Sequence, residues 1–308
     1  MYNSEVLGVQ FNKILLILNM RNHMQQKIKT ARGLFAYRTY GKKDNRPLFL
    51  VHGWPQSSYC WHDIAQDLAD FYVIAPDLRG MGNSERTLEI SAYNKDQLGL
   101  DIFAIAATLK IETFYLGGHD WGSVVAQEMA LLQPERIRKL ILINMMIVNN
   151  GVGKKKAVEE LSKEMFRFSW YQFFQNIPKF PEQLLEGKED VWIRFFCKGI
   201  TNPIPEEALA EYIRCYQIPH TITTAANLYR SMPNDRKRWS YYINKKISVP
   251  SHIIHGRLDR LIIPEFLSNV KNAFEHPIDI TYLEGGHFIC DEKPKEVAKA
   301  INIFFSSN

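Results

Sequence analysis

A glycine-flanked turn near the middle of the chain is the feature that most limits how this sequence can fold. An apolar run, Ile111 to Leu116, leads into the stretch GGHDWGS, and a helix-like segment follows from Val124 to Leu132. Gly118 and Gly122 stand on either side of Asp120, as a turn too tight for side chains requires. The pattern predicts a strand, a sharp turn and a helix, with Asp120 at the apex of the turn.

An aspartate at the apex of such a turn suits one kind of chemistry. A carboxylate that attacks an sp³ carbon leaves an alkyl ester, which water cleaves at the acyl carbon, whereas a serine would leave a stable ether. Asp120 therefore suits the transfer of an alkyl group to water. The same residue could instead be the N-cap of the following helix, and this stretch alone does not separate the two roles.

The rest of the chain predicts a parallel sheet with helices packed on it and a helical insertion. Lys27 to Tyr40 predicts a hairpin of two edge strands, and apolar runs of strand length then alternate with helical segments. The predicted strands are Pro47–Val51, Tyr72–Ala75, Ile137–Asn144, Val249–His255 and Ile278–Tyr282, and the predicted helices are Tyr59–Leu68, Tyr93–Leu109 and Pro294–Phe305. From about Met145 to Met232, proline-broken helical stretches rich in aromatic residues replace this alternation. We expect a doubly wound α/β fold with an inserted helical region.

Length and composition are those of an ordinary globular protein. The chain has 308 residues, of which 46% are hydrophobic and 23% charged, enough for one α/β domain with an insertion. We divide it into an N-terminal extension (1–23), a first part of the core (24–144), a helical cap (145–238) and a second part of the core (239–308). The apolar patch Ile14 to Leu18 is too short to span a membrane and lacks the basic flank of a signal peptide.

Charge and cysteine content argue against two classes of partner. The net charge of +5 comes from scattered residues, and the short runs Lys154–Lys156 and Arg236–Arg238 are interpreted as solvated surface rather than a nucleic-acid interface. The cysteines show no C-x-x-C pair and no zinc spacing, so we predict free, buried thiols in a reducing compartment. They are Cys60, Cys197, Cys215 and Cys290. We therefore expect no metal, no nucleic acid and a cytoplasmic location.

Three more candidate residues follow predicted strands. Trp54, Asp259 and His287 each lie shortly after a buried strand ends, and functional loops of a parallel sheet collect at the carboxyl ends of its strands. The order nucleophile, acid, histidine is that of an α/β-hydrolase triad. Asp259 could instead cap a helix that starts near Pro264, and His287 could be a loop histidine with purely structural hydrogen bonds.

Four motifs carry a resemblance to a known family. HGWPQSSYCW, APDLRGMGNS, GGHDWGS and GGHF, at these spacings, resemble the epoxide hydrolase and haloalkane or haloacetate dehalogenase branch of the α/β-hydrolases over roughly residues 30 to 306. The resemblance implies the α/β-hydrolase fold, with an eight-stranded, mostly parallel, doubly wound sheet and a helical cap insertion. It also implies an enzyme that works without a cofactor.

The resemblance also implies a role for each candidate residue. Asp120 attacks an electrophilic carbon, and His287, held by Asp259, activates the water that hydrolyses the resulting ester. The backbone N–H groups of Trp54 and Trp121 form the oxyanion hole.

The leaving group depends on residues of the insertion. Tyr171 and Tyr229 match the epoxide hydrolase pattern, in which phenols donate to the departing alkoxide, although cap tyrosines could also serve only in packing. Haloacetate dehalogenases carry arginines where this chain has Trp121 and Val124, and a His-Trp pair where it has Tyr171 and Gln172. Haloalkane dehalogenases share the Asp-Trp-Gly turn, in which the indole of Trp121 could donate to a halide.

We therefore rank an epoxide hydrolase first and a haloalkane or haloacetate dehalogenase second. A catalytically silent receptor with the hydrolase fold ranks third. The expected partners are a small apolar epoxide and water, the expected state is a monomer or homodimer, and no membrane span is expected. The predicted substrate-binding side chains are Trp54, Trp121, Phe173, Phe174 and Tyr229.

Overall fold

The computed structural model of the protein describes residues 25–161 and 165–307. Within them, eight strands form one sheet in the order β1-β2-β4-β3-β5-β6-β7-β8. The strands are β1 Gln26–Thr30, β2 Gly33–Tyr40, β3 Arg46–Val51, β4 Phe71–Pro76, β5 Phe114–His119, β6 Ile137–Ile143, β7 Ser251–Gly256 and β8 Asp279–Leu283. The predicted N-terminal extension, 1–23, lies outside the described residues.

The sheet is mostly parallel, as predicted. Strands β3 to β8 pair in parallel, whereas β1 and β2 form an antiparallel hairpin. The prediction that both hairpin strands are edge strands was wrong for β2, because its other side pairs antiparallel with β4 from Tyr37 to Tyr40. Only β1 lies at that edge of the sheet.

The strand before the central turn differs from its prediction. Ile111 to Thr113 precede the strand, and β5 continues through Gly117 and Gly118 to His119. Parallel pairing with β3 on one side and β6 on the other holds these glycines in extended conformation. The helix after the turn begins at Trp121 rather than at Val124, because the turn itself consists of little more than Asp120.

The glycines of this turn have no room for a side chain. A Cβ added to Gly118 would lie 2.3 Å from the carbonyl oxygen of Gly122, and one added to Gly122 would lie 2.0 Å from that of Val51. Contacts that short force the backbone apart, so glycine is needed at both positions. The close approach packs the following helix directly against β3.

Twelve α-helices occur among the described residues, and seven of them lie between β6 and β7. They are α1 His62–Gln66, α2 Lys95–Thr108, α3 Trp121–Leu132, α4 Gly151–Leu161, α5 Met165–Asn176, α6 Phe180–Leu185, α7 Glu189–Phe196, α8 Glu206–Tyr216, α9 Thr221–Arg230, α10 Met232–Ser240, α11 Ile289–Glu292 and α12 Pro294–Ser306. Short 3-10 helices span Ser58–Trp61, Ile90–Tyr93, Pro134–Arg136, Pro264–Leu267 and Val270–Ala273. The helical insertion predicted from about Met145 to Met232 therefore corresponds to α4 through the start of α10.

A buried ionic network ties α10 to the core. Nζ of Lys95 lies 2.9 Å from the carboxylate of Asp235, and both side chains are fully buried. Arg238 pairs with Asp235 at 2.7 Å and with Glu128 of α3 at 2.8 Å. The indole N–H of Trp239 donates to the same Glu128 carboxylate over 2.7 Å. Arg238 is therefore a partly buried member of this network, with 21% of its side chain exposed, and the prediction that the run Arg236–Arg238 is solvated surface fits Arg236 and Lys237 but only partly fits Arg238.

Two further expectations concern burial and membranes. All four cysteines are free and buried, as predicted. Among residues 25–161 and 165–307, no helix combines the length and apolarity needed to cross a bilayer.

Candidate active site

Asp120 stands at the apex of the turn after β5, as predicted. Its backbone has a positive φ of 52° with ψ −126°, a conformation that costs a non-glycine residue about 1–3 kcal/mol. The side chain makes no N-cap hydrogen bond, which would run to the second or third N–H group of α3. Instead, Oδ1 accepts the backbone N–H of Trp54 at 2.8 Å. The carboxylate therefore faces the loops beyond the sheet and does not act as an N-cap.

His287 lies between two carboxylates. Its Nε2 is 3.4 Å from Oδ2 of Asp120, and its Nδ1 is 2.7 Å from Oδ2 of Asp259. The other oxygen of Asp259 accepts the backbone N–H groups of Leu261 and Ile262, at 2.8 and 2.9 Å. These bonds fix the carboxylate in a local turn aimed at His287, so Asp259 does not cap the short helix at Pro264–Leu267.

The two flanking carboxylates change the pKa of His287. Burial alone would lower the pKa of the imidazole, but the charges and hydrogen bonds of Asp259 and Asp120 outweigh it and raise the pKa to about 10. For Asp120, burial would raise the pKa, but the hydrogen bond and charge of His287 keep it below the ordinary value. The free site therefore favours an imidazolium beside an ionised nucleophile.

Backbone donors surround the Asp120 carboxylate. The N–H of Trp54 points at Oδ1, and a hydrogen bond from the backbone N–H of Trp121 helps to lower the pKa of Asp120. Gly53 allows this approach, because a Cβ there would lie 2.3 Å from Oδ1 of Asp120. The peptide bond between Trp54 and Pro55 is cis. The two amides stand where negative charge would develop on an ester carbonyl at Asp120.

Tyr171 of α5 and Tyr229 of α9 lie above the nucleophile. Both are buried, with 6% and 2% of their surface exposed, and their ring centroids are 5.7 Å apart. Burial and the nearby negative charge raise the pKa of both phenols above its usual value. They therefore remain protonated across the physiological range and are available as hydrogen-bond donors.

A cavity of about 230 Å³ joins these groups. Asp120, His287, Tyr171 and Tyr229 line it. The structure thus brings the predicted nucleophile, base and phenols to one cavity at the carboxyl edge of the sheet.

The predicted substrate-binding side chains divide into two sets. Trp121 and Phe173 line the cavity, as does Tyr229. The Trp54 ring instead stacks behind Tyr171, at 5.1 Å between centroids, and donates its indole N–H to Tyr216. Phe174 packs against neighbouring rings of the insertion, such as Trp192 at 5.4 Å. Phe173 therefore lines the cavity, whereas Phe174 packs within the helical insertion.

Two residues that were not singled out from the sequence hydrogen-bond to the backbone of the loop that carries His287. Nδ2 of Asn144 donates to the carbonyl oxygens of Gly286 and His287, at 2.8 and 2.9 Å. A ring nitrogen of His119 lies 2.7 Å from the same His287 carbonyl. Asn144 directly follows β6 and His119 ends β5. Their positions at the ends of strands could therefore have identified them from the sequence as candidate site residues.

The chain belongs to the α/β-hydrolases. Residues 46–294 match the family described as the alpha/beta hydrolase fold. Epoxide hydrolase 4 of Mus musculus is 27% identical over 285 residues, or 90% of this chain and 77% of that protein. A fluoroacetate dehalogenase of Burkholderia sp is 25% identical over 277 residues, or 84% of this chain and 86% of that protein. The crystal structure of ALR0039 from Nostoc sp PCC 7120 has a TM-score of 0.83 at 28% identity, covering 94% of this chain and 99% of that one.

These matches confirm the resemblance to the epoxide hydrolase and dehalogenase branch. Both kinds of relative cover most of the chain at similar identity. The comparisons therefore establish a hydrolase of this fold, and the choice of leaving group depends on the residues of the cavity.

Proposed function

We propose that the protein opens an epoxide to a vicinal diol through an alkyl ester of Asp120. The observation that carries the proposal is the placement of two buried, protonated phenols, Tyr171 and Tyr229, in the same cavity as the Asp120 carboxylate. An epoxide oxygen leaves as an alkoxide, which is a poor leaving group unless a donor stabilises or protonates it. A halide needs no such proton.

The first step joins Asp120 to one epoxide carbon. Oδ1 is held by the N–H of Trp54, so Oδ2 is the oxygen that attacks. As the new C–O bond forms, the epoxide C–O bond breaks, and the departing oxygen takes a proton from Tyr171 or Tyr229. The phenolate later regains a proton, which is relayed through water from the imidazolium of His287. Both phenols have a raised pKa, which favours return of the phenol.

Ester formation prepares His287 for the second step. Esterification removes the negative charge of Asp120, which is one of the causes that raise the pKa of His287. The imidazole then releases its proton more readily and takes one from a water molecule, while Asp259 holds the ring in position. The resulting hydroxide adds to the acyl carbon of Asp120, and the diol leaves as the carboxylate is restored.

Backbone donors stabilise the intermediate of this second step. The carbonyl oxygen of the ester gains negative charge when hydroxide adds to it. The N–H group of Trp54 faces that oxygen, and the N–H of Trp121 acts on the same carboxyl group. A donor of this kind contributes about 10²–10³ in rate in other enzymes.

Dehalogenation by the same nucleophile is the second candidate, favoured by the fluoroacetate dehalogenase among the relatives. Two features of the cavity count against it. The ring of Trp121 meets that of Tyr229 edge-on, with 5.5 Å between their centroids, and a halide bound at the Trp121 indole would have to compete with this contact. Trp121 and Val124 stand where the haloacetate enzymes carry arginines. A silent receptor, the third alternative, would not need the ordered His287–Asp259 pair.

The experiment is the intact mass of His287→Gln after separate incubation with styrene oxide, 1-chlorobutane and chloroacetate. Without the base the ester should accumulate, and a mass gain equal to the whole epoxide, mapped to Asp120, supports the proposal. His276→Gln, which changes an exposed histidine, is the matched control and should accumulate no adduct. An adduct from a halide alone would establish a dehalogenase, and the absence of any adduct would favour the receptor.

A further inference from the structure

Besides the imidazolium of His287, the cavity that holds Asp120 is lined by three cationic side chains. Lys154 of α4, Arg236 of α10 and Arg260 of the loop after β7 all line it. Among the described residues that line the cavity, Asp120 is the only carboxylate. The space therefore carries an excess of positive charge, which a neutral apolar substrate does not need.

Two neighbouring arginines that do not line the cavity are paired with carboxylates, unlike the two that line it. Arg238, two positions from Arg236 on the same helix, pairs with Glu128 and Asp235. Arg257, in the same loop as Arg260, lies 3.2 Å from Glu284. Within the described part of the chain, neither Arg236 nor Arg260 has a hydrogen bond or an ion pair from its side chain.

Lys154 is the most enclosed of the three cations. It is partly buried, and its ammonium lies 5.6 Å from the centre of the Trp239 ring. Burial and the positive charge of Arg236 lower the pKa of Lys154. The two cations therefore repel each other at close range, and an anion bound between them would remove that repulsion.

The cavity has a buried end and an exposed end. Asp120, Tyr171 and Tyr229 are buried, whereas Arg236 and Arg260 are exposed. Apolar side chains line the space as well, among them Met145, Met146, Leu161, Met232 and Phe266. A ligand that matches this arrangement has a reactive group for the buried end, an apolar body, and an anionic group for the exposed, cationic end.

We propose that the substrate is an amphiphile, with its epoxide at Asp120 and a terminal carboxylate bound at the mouth of the cavity by Lys154, Arg236 and Arg260. A carboxylate suits this set because a guanidinium can bind it in bidentate fashion. The inference rests on the proposed function for the identity of the reacting group. The cations stand at the mouth and not beside the nucleophile, so they select a longer acid than a haloacetate.

The test uses ligands that do not react. Octanoate and octanamide have the same shape and differ in charge, and their binding is compared by isothermal titration calorimetry at low ionic strength. We expect the wild-type protein to bind octanoate at least about tenfold more tightly, and Lys154→Met/Arg236→Gln to bind the two equally. Lys155→Met/Lys237→Gln changes exposed lysines on the same two helices and should keep the wild-type preference.

Two outcomes would overturn the inference, namely equal binding of both ligands by the wild-type protein and an undiminished preference in Lys154→Met/Arg236→Gln. Thermal unfolding of each variant establishes that it is folded. Because no epoxide is involved, binding of octanoate tests the anion site alone. If the wild-type protein prefers octanoate but His287→Gln forms no ester, the anion site is retained and epoxide hydrolysis is rejected. If His287→Gln forms the ester but the wild-type protein shows no preference for octanoate, epoxide hydrolysis is retained and the anion site is rejected.

Discussion

Nε2 of His287 lies 3.4 Å from Oδ2 of Asp120, so the proposed base and the proposed nucleophile form an ion pair before any substrate reacts. Asp259 holds the opposite nitrogen of the same ring at 2.7 Å. The pair protects an ionised nucleophile in a buried site, but it also leaves the base protonated. In the proposed mechanism, the charge of Asp120 therefore controls when His287 becomes available to activate water.

The first prediction concerns the pH dependence of ester hydrolysis. The pKa of His287 is about 10 in the free site, and we expect a lower value in the ester because Asp120 is then neutral. The single-turnover rate of ester hydrolysis should rise with pH and level off below about pH 10. Asp259→Asn should move the midpoint to lower pH, because it removes a charge that raises the pKa. Rapid-quench measurements across this range check it, and a rate that falls with pH would contradict it.

The same ion pair predicts how stability changes with pH. The pKa of His287 is raised from 6.5 to about 10 on folding, so its protonated form stabilises the folded state. That contribution is fully present below about pH 6.5 and is lost as pH rises through about 10. Urea unfolding of the wild-type protein and of His287→Gln should show a difference in unfolding free energy that shrinks across this interval. A difference in unfolding free energy that grows with pH would refute the raised pKa of His287 in the folded state.

Tyr229→Phe should slow epoxide opening more than ester hydrolysis. The phenyl ring retains the edge contacts with Trp121 and Tyr171 but cannot donate to the departing oxygen. Loss of one donor of this kind costs about 10²-fold in rate. Pre-steady-state measurement of the two half-reactions separates them. Tyr242→Phe changes a buried tyrosine that does not line the cavity and serves as the control, and equal slowing of both half-reactions in Tyr229→Phe would show a packing role.

Lys95→Met should destabilise the protein. The ammonium is fully buried beside Asp235 and lies 4.4 Å from the centre of the Trp121 ring. Its removal leaves a buried carboxylate with less compensation, which costs about 3–5 kcal/mol in comparable sites. Chemical unfolding measures the loss, and Lys237→Met, at an exposed position of α10, should stay within about 0.5 kcal/mol of wild type. A loss that small for Lys95→Met would show that the ion pair contributes nothing net.

The core and the proximity of Asp120, Asp259 and His287 could be predicted because their signals are local. The glycines around Asp120 and the apolar runs before Asp259 and His287 depend only on nearby residues. The bounds of β5 could not be predicted, because pairing with β3 and β6, not apolar content, keeps Gly117 and Gly118 extended.

The walls of the cavity could not be predicted for a related reason. The sequence does not fix how a helix is rotated, so it gave no basis for choosing between Phe173 and Phe174. Lys154 and Arg236 belong to runs that are typical of solvated surface. Their shared cavity depends on how α4 and α10 pack, which is decided by contacts between residues distant in the chain.

Helix α10 supplies both the anchor to the core and part of the cavity. Asp235 and Arg238 belong to the buried ionic network, while Met232 and Arg236 face the ligand space. In a laboratory evolution experiment that selects for new substrates, changes along α10 would therefore often unfold the protein before they altered its selectivity. In helix α4, Val158 lines the cavity but is 48% exposed and does not anchor the helix to the core. Variants with new selectivity should accumulate there first.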